Sequence, residues 1–169
     1  MKKNFILASL VTVSAVFSSF SALSYDGTIK FRGTILENGC TINGGKDQEV
    51  NFGKVSKEGL KNIPKTGGIS KPFTINLTNC PSSTTVDIQF FGNPDSNDST
   101  LYSSGVSGVG IQLTKDDNTT KINANEKVSG YKITGGNTSI PLIAKLQSTH
   151  ATIGHGTINS DVNFTLIYP

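Results

Sequence analysis

The sequence has little charge for its length. Of its 169 residues, 16% are Asp, Glu, Lys or Arg, whereas soluble domains average about 25%. This shortage excludes a coiled coil and a highly charged disordered tail. The net charge is +3, but Lys2 and Lys3 account for two of the 15 basic residues, and the remaining 13 face 12 acidic ones. Because nucleic-acid binding requires clustered Lys and Arg, no nucleic-acid partner is expected.

The sequence also has no long hydrophobic run. The apolar stretch within residues 1–24 spans 13 residues, which is short of the roughly 20 that cross a membrane. Lysines precede it, and the small residues Ala22 and Ser24 end it, a pattern typical of a secretory signal peptide that is cleaved before Tyr25. An uncleaved membrane anchor is the alternative. We therefore expect an exported, soluble mature chain of 145 residues (169 minus 24).

Cysteine occurs only twice, as Cys40 and Cys80. In an oxidising compartment, two cysteines in a small domain usually form a structural disulfide. Closing a loop of that length stabilises a fold by about 4 kcal/mol in the chain-entropy model. The alternative is a reactive thiol or a metal-binding pair, but neither cysteine lies in a CxxC motif or near a histidine in sequence. We predict a structural disulfide.

What the sequence does contain is a series of short alternating segments rich in β-branched residues. Turns rich in Gly, Asn, Asp, Ser and Pro separate them at intervals of roughly ten residues, which predicts an all-β antiparallel sandwich. Only Val55–Ile63 suggests a helical turn. The predicted strands are Thr28–Leu36, Glu49–Lys54, Pro72–Thr78, Thr85–Phe91, Val109–Lys115, Ser139–Gln147 and Thr157–Tyr168.

Both ends of the expected mature chain carry an amphipathic strand. At the start, one face holds Ile29, Phe31, Gly33 and Ile35, interleaved with polar and basic residues. At the end, one face holds Ile158, Val162, Phe164, Leu166 and Tyr168, with Ile167 as the exception on the polar face. An unpaired apolar edge would aggregate. Either both strands belong to one closed sandwich, or one of them is meant for the open sheet edge of another molecule.

Several short motifs follow one another along the whole mature chain. They begin with GTIKFRGTI at residues 27–35 and NGC at 38–40, continue with NCP at 79–81, and end with Gly156, fourteenth from the end, and the penultimate Tyr168. In this order and spacing they resemble the type 1 and P-type fimbrial subunits of the chaperone–usher class. The resemblance departs from the family at Pro169, where a polar residue is expected.

The resemblance implies an immunoglobulin-like β-sandwich that lacks its final strand and is completed by a donor strand. A periplasmic pilus chaperone would fill the resulting groove, and at an outer-membrane usher the amino-terminal extension of a neighbouring pilin subunit would replace the chaperone strand. The protein would be a structural subunit of an adhesive surface fimbrium, as rod or adaptor, and not an enzyme. Its divisions would be a signal peptide (1–24), a donor-strand extension (25–36) and a pilin domain (37–169).

The resemblance also assigns roles to individual residues. Ile29, Phe31 and Ile35 would be the apolar plugs of the donor strand, and Gly33 would let that strand lie close to a shallow part of the groove. Cys40 and Cys80 would join the first two strands of the sandwich. The residues expected to line the acceptor groove or to pair with the incoming strand are Gly156, Val162, Phe164, Leu166 and Tyr168.

Two other functions fit the sequence less well. A sugar-binding tip adhesin usually carries a separate receptor domain, and 145 residues without Trp and with only four Tyr offer little for one. A secreted hydrolase would need a nucleophile motif, which the sequence does not show. His150 and His155 are too few for a catalytic metal site. No cofactor, metal or small-molecule substrate is expected.

Overall fold

The structure is a computed structural model that describes residues 29, 30, 32, 39–61, 69–81 and 85–169. The chain divides into two compact units, Met1–Ile35 and Leu36–Pro169. In the first unit the described residues are Ile29, Lys30 and Arg32, and all three are exposed. The predicted signal peptide lies outside the described residues. Among the described residues, no helix is long and apolar enough to cross a membrane.

The second unit is a sandwich of two antiparallel sheets. Its strands are β1 (Thr41–Asn43), β2 (Ser70–Thr78), β3 (Thr85–Gly92), β4 (Tyr102–Ser103), β5 (Val109–Lys115), β6 (Lys121–Ile122), β7 (Lys127–Lys132), β8 (Thr138–Ser148) and β9 (Val162–Ile167). The larger sheet has the strand order β1-β2-β8-β5-β4, with β6 also paired to β5, and the smaller sheet has the order β7-β3-β9. Among the described residues there is one short helix, α1 (Lys57–Lys61), which follows β1.

The core lies between the two sheets and follows the alternation of the sequence. Every second residue of a strand faces the same side, so one apolar set per strand is buried. The larger sheet contributes residues such as Ile75 on β2 and Leu142 on β8, and the smaller sheet contributes Val86, Ile88 and Phe90 on β3. The disulfide-linked ends of β1 and β2 pack at the margin of this core.

The predicted all-β sandwich is confirmed, and its longest strands lie where the alternation placed them. β5 matches its predicted span, and β2, β3 and β8 differ from theirs by one or two residues at their ends. The predicted helical turn appears as α1, where Leu60 is buried. Four short or irregular strands were not predicted: β1, β4, β6 and β7.

Two strand predictions are wrong: one predicted segment forms no strand, and another strand is shorter than predicted. Glu49–Lys54 forms no strand, although Val50 and Phe52 are half-buried and their neighbours are exposed. Buried and exposed side chains therefore alternate as predicted, but in the described ranges no strand forms backbone hydrogen bonds with this segment as a sheet neighbour. The last predicted strand begins only at Val162, because residues 157–161 run as irregular chain. Of the predicted strand Thr28–Leu36, only the three exposed residues given above are described.

An ion pair between a half-exposed lysine and a buried carboxylate joins β7 to β3. The Lys127 ammonium donates to the Asp87 carboxylate at 3.0 Å, and the Gly130 amide donates to the same carboxylate at 3.0 Å. Only 9% of the Asp87 side chain is exposed. The hydrogen bond from Lys127 lowers the pKa of Asp87 below its ordinary value of 3.8. Folding therefore favours the charged form of this carboxyl.

We expect Asp87→Asn to destabilise the chain and to flatten its acid dependence. A carboxyl whose pKa folding lowers stabilises the folded state above pH 3.8, and this contribution is lost as the pH falls below that value. Loss of the charged hydrogen bond should cost about 1.5–3 kcal/mol at neutral pH. Urea unfolding between pH 7 and about 2 measures both effects. Asp47→Asn, which removes an exposed carboxylate, is the control, and an equal acid dependence in the two variants would contradict this role of Asp87.

Candidate functional site

The last strand, β9, has one edge paired and one edge open. It pairs antiparallel with β3, from Asp87 opposite Ile167 to Gly92 opposite Val162. In the part of the chain that the structure describes, no strand pairs with its other edge. Because backbone N–H and C=O groups need hydrogen-bond partners, such an edge can accept a further strand.

A deep groove runs beside this open edge. Its volume is about 1560 Å³, larger than the roughly 300–1,000 Å³ of typical small-molecule pockets. The floor is the core itself, reached between the two sheets through Phe73, Ile75, Phe90 and Ile111. The groove therefore offers room for an extended segment with several apolar side chains.

The two walls of the groove come from segments far apart in sequence. One wall runs from Ile42 on β1 through residues 46–55 to Lys57. The other runs from Ile153 through Val162 and Phe164. Val50, Phe52 and Val55 supply the apolar side chains of the first wall, and they are half-buried against the core. An inserted strand would contact both sheets at once.

The lysines and carboxylates that line the groove are equal in number. Its lining includes three lysines and three carboxylates, and His155 belongs to the second wall. The described part of the chain holds no group of three or more His, Cys, Asp or Glu residues able to bind a metal ion. The groove thus offers apolar surface and backbone pairing to an incoming segment. The charged residues are Lys46, Asp47, Glu49, Lys54, Lys57 and Asp161.

Of the predicted acceptor residues, three lie on the groove and two lie beyond it. Gly156, Val162 and Phe164 line the groove. Leu166 packs against the core outside that lining, opposite Ile88 on β3. Tyr168 lies past the end of β9, where its hydroxyl accepts a hydrogen bond from the Cys40 amide at 2.6 Å.

The structure describes only one apolar residue of the predicted donor strand. That residue is Ile29, which is 81% exposed. Phe31, Gly33 and Ile35 lie outside the described residues. Their role as a donor strand stays a prediction.

The predicted disulfide is confirmed. Cys40, just before β1, is bonded to Cys80, just after β2, and their Cα atoms are 4.0 Å apart. The Cys80 amide donates to the Gly136 carbonyl at 2.8 Å in the turn between β7 and β8. The disulfide therefore fixes the start of the first groove wall to the larger sheet.

The far edge of the smaller sheet differs from the β9 edge. β7 carries Lys127 and Lys132 at its ends, and its register with β3 shifts between Val86 and Ile88. Gly130 adopts a φ of 88° at this irregularity. Lysines and bulges are features that protect edge strands from pairing with other chains. Of the two edges of this sheet, β9 is the one that is regular and open.

Sequence reasoning missed most of the first wall and the floor of the groove. Ile42 in the first wall and Phe73 and Ile111 in the floor were not identified, because each looks like an ordinary core residue. Val50 and Phe52 gave a usable signal, because they lie in an alternating segment with which no described strand pairs. An apolar segment without a partner in its own chain indicates a surface that another chain completes.

Comparison with known proteins gives a consistent result. The model of the family described as "Fimbrial protein" matches residues 29–169. Long polar fimbria protein A of Salmonella typhimurium is 36% identical over 173 residues, covering 97% of this chain and 94% of that protein. The probable major fimbrial subunit LpfA of Escherichia coli O157:H7 is 31% identical, covering 97% and 94%. The P pilus rod subunit PapA shares the fold, with a TM-score of 0.63 at 22% identity, covering 78% of this chain and all of that one.

We expect replacement of both cysteines, Cys40→Ser with Cys80→Ser, to destabilise the domain without changing its fold class. The chain-entropy model gives a loss of about 4 kcal/mol for a loop of this length. Urea unfolding of the double variant beside the parent chain, each at neutral pH, measures the loss. Equal unfolding midpoints would mean that the disulfide adds nothing to the stability of this end of the groove.

Proposed function

The chain belongs to the fimbrial protein family, and from that premise we propose that it joins its neighbours in the fibre by donor-strand exchange. It is a structural subunit of a surface fimbria and is exported through the periplasm. The observation that carries the proposal is the groove beside the open edge of β9, whose floor is the core. A sandwich that lacks its last strand has its core uncovered at this place.

The donor is the amino-terminal segment of a second copy, residues 25–36. Ile29 is exposed in its own chain, as is required of an apolar side chain that inserts into the groove of another subunit. In an extended strand, alternation would place Ile29, Phe31 and Ile35 on one face, with Gly33 on the same face between two of them. The remaining divisions of the chain are a signal peptide over 1–24 and the pilin domain over 37–169.

The energy of such a contact is enough to hold a fibre together. Burying three large apolar side chains at about 1.5–3 kcal/mol each gives roughly 5–9 kcal/mol before ordering costs. Hydrogen bonds along the β9 edge add about 0.5–1.5 kcal/mol each. Because donor and acceptor are different surfaces, the contact is head to tail and generates an open filament.

The same groove needs a temporary occupant before assembly. An uncovered apolar groove beside an open strand edge is an aggregation site. A periplasmic chaperone that inserts a strand of its own would protect it, and an outer-membrane usher would be the place where the next subunit replaces that strand. These two partners are proposed from the groove and from the family.

The tip-adhesin alternative has less support. The matched Escherichia coli relative is named a probable major fimbrial subunit, and the matched solved structure is a rod subunit. A role in the fibre shaft therefore fits the comparisons better than a receptor-binding role.

Two defective variants should complement each other. Phe31→Asp removes a donor plug, and Phe164→Asp puts a charge on the acceptor wall, so each variant alone should stay monomeric. Mixed together, the donor of the second should enter the intact groove of the first and give dimers that grow no further. Size-exclusion chromatography with light scattering measures the masses.

The controls change neighbouring residues on the opposite faces. Lys30→Thr on the donor and Thr165→Asp on β9 alter exposed positions, Thr165 lies outside the groove lining, and both variants should still form long polymers. A mixture of the two defective variants that stays monomeric, or that forms long polymers, would contradict donor-strand exchange through this groove.

A further inference from the structure

Tyr168 makes a contact across the two sheets that the donor-strand account does not use. Its hydroxyl accepts the Cys40 amide at 2.6 Å across 128 positions of sequence. Gly39 leaves room for the ring, since a Cβ atom there would lie 3.0 Å from the Tyr168 oxygen. We call this contact of Tyr168 with Gly39 and Cys40 the clasp.

The clasp is anchored firmly on both sides. On one side, Cys40 is bonded to Cys80, whose amide donates to the Gly136 carbonyl at 2.8 Å. On the other side, Leu166 is paired with Ile88 in the smaller sheet, two residues before Tyr168. The clasp therefore joins the start of β1 in the larger sheet to the end of β9 in the smaller sheet.

The groove ends where the clasp begins. Its lining includes Ile42 on one wall and Phe164 on the other. Beyond those residues, towards the clasp, Cys40 and Leu166 lie outside the lining but pack against the core. The start of β1 and the end of β9 are thus tied together at this end, whereas farther along Ile42 and Phe164 line opposite walls of the groove.

A donor strand whose apolar side chains occupy every second position needs a contact that fixes where it lies along the groove. A slip of one residue would turn every apolar side chain outwards, which burial alone prevents. A slip of two residues, about 7 Å, keeps the same face inwards and moves Phe31 into the place of Gly33 or Ile29. The apolar pattern excludes this second slip only weakly, so something at the end of the groove has to fix the position.

We propose that the clasp closes one end of the acceptor groove and sets the register of the incoming strand. This proposal rests on the proposed function, because it concerns the same groove. Tyr168 acts as a positioning residue: its ring and its hydrogen bond to Cys40 hold the two walls together, and the donor strand ends against them. The hydrogen bond itself keeps the Cys40 amide from pairing with the donor.

The test maps where the donor lies in the groove. The acceptor is the full chain carrying Phe31→Asp, which has an intact groove and a defective donor. The probe is a synthetic peptide of residues 28–36 with a benzophenone side chain in place of Phe31. After irradiation, mass spectrometry identifies the acceptor residues that the benzophenone has labelled.

The variants of the acceptor are Tyr168→Phe, which removes the hydrogen bond, and Tyr168→Ala, which removes the ring as well. Tyr131→Phe is the matched control, because the buried Tyr131 hydroxyl has no hydrogen-bond partner among the described residues and its strand, β7, is at the far edge of the smaller sheet. Circular dichroism checks that each variant is folded. If Tyr168→Ala does not fold, Tyr168→Phe still tests the hydrogen bond.

In the parent and in Tyr131→Phe, we expect labels at one level of the groove only. In Tyr168→Phe, labels at Thr41 or Leu166 should rise roughly two- to tenfold, as expected for the loss of one hydrogen bond, and in Tyr168→Ala they should rise further. A merely structural role would lower the total yield without moving the labels. An unchanged map in both Tyr168 variants overturns the proposal, whereas a peptide that never labels the parent groove overturns the proposed function instead.

Discussion

The open edge of β9, with the core uncovered beside it, is the constraint on which the rest of the structure depends. Buried backbone groups and apolar side chains both need partners, and in the described part of the chain no strand pairs with this edge of β9 while core side chains line the groove beside it. Two other features either hold the groove in shape or prevent strands from pairing with the other edge of the smaller sheet. The Cys40–Cys80 disulfide holds the first wall in place, and the irregular, lysine-bearing β7 keeps the opposite edge from competing for strands.

This constraint also explains which parts of the fold the sequence could predict. β2, β3, β5 and β8 have partners on both sides or a fully formed core face, so their alternation translates directly into strands. Glu49–Lys54 alternates in the same way but forms no ladder, because pairing depends on a neighbouring strand, and none of the described strands pairs with this segment. β7 was missed because its register shift at Gly130 breaks the period of two.

Some burial could not be predicted from alternation at all. Gln112 and Lys145 lie on the outward face of the larger sheet, yet both are buried. Gln112 donates to the Ile122 carbonyl at 2.8 Å and Lys145 to the Asn118 carbonyl at 2.7 Å, so the loop and short strand that follow β5 cover this face. For the candidate site, the resemblance identified Val162 and Phe164 on one wall, but the other wall comes from loops whose purpose is evident only once the missing strand is recognised.

The most direct test of the account is hydrogen exchange of the backbone amides, compared between the isolated chain and the assembled fibre. In the isolated chain, the amides of β9 that do not face β3 should exchange rapidly. In the fibre, a donor strand paired to this edge should protect them strongly, while the outward amides of β7 should exchange as before. If the β9 amides exchange equally fast in both states, no strand pairs with this edge, and subunits must be joined through another surface.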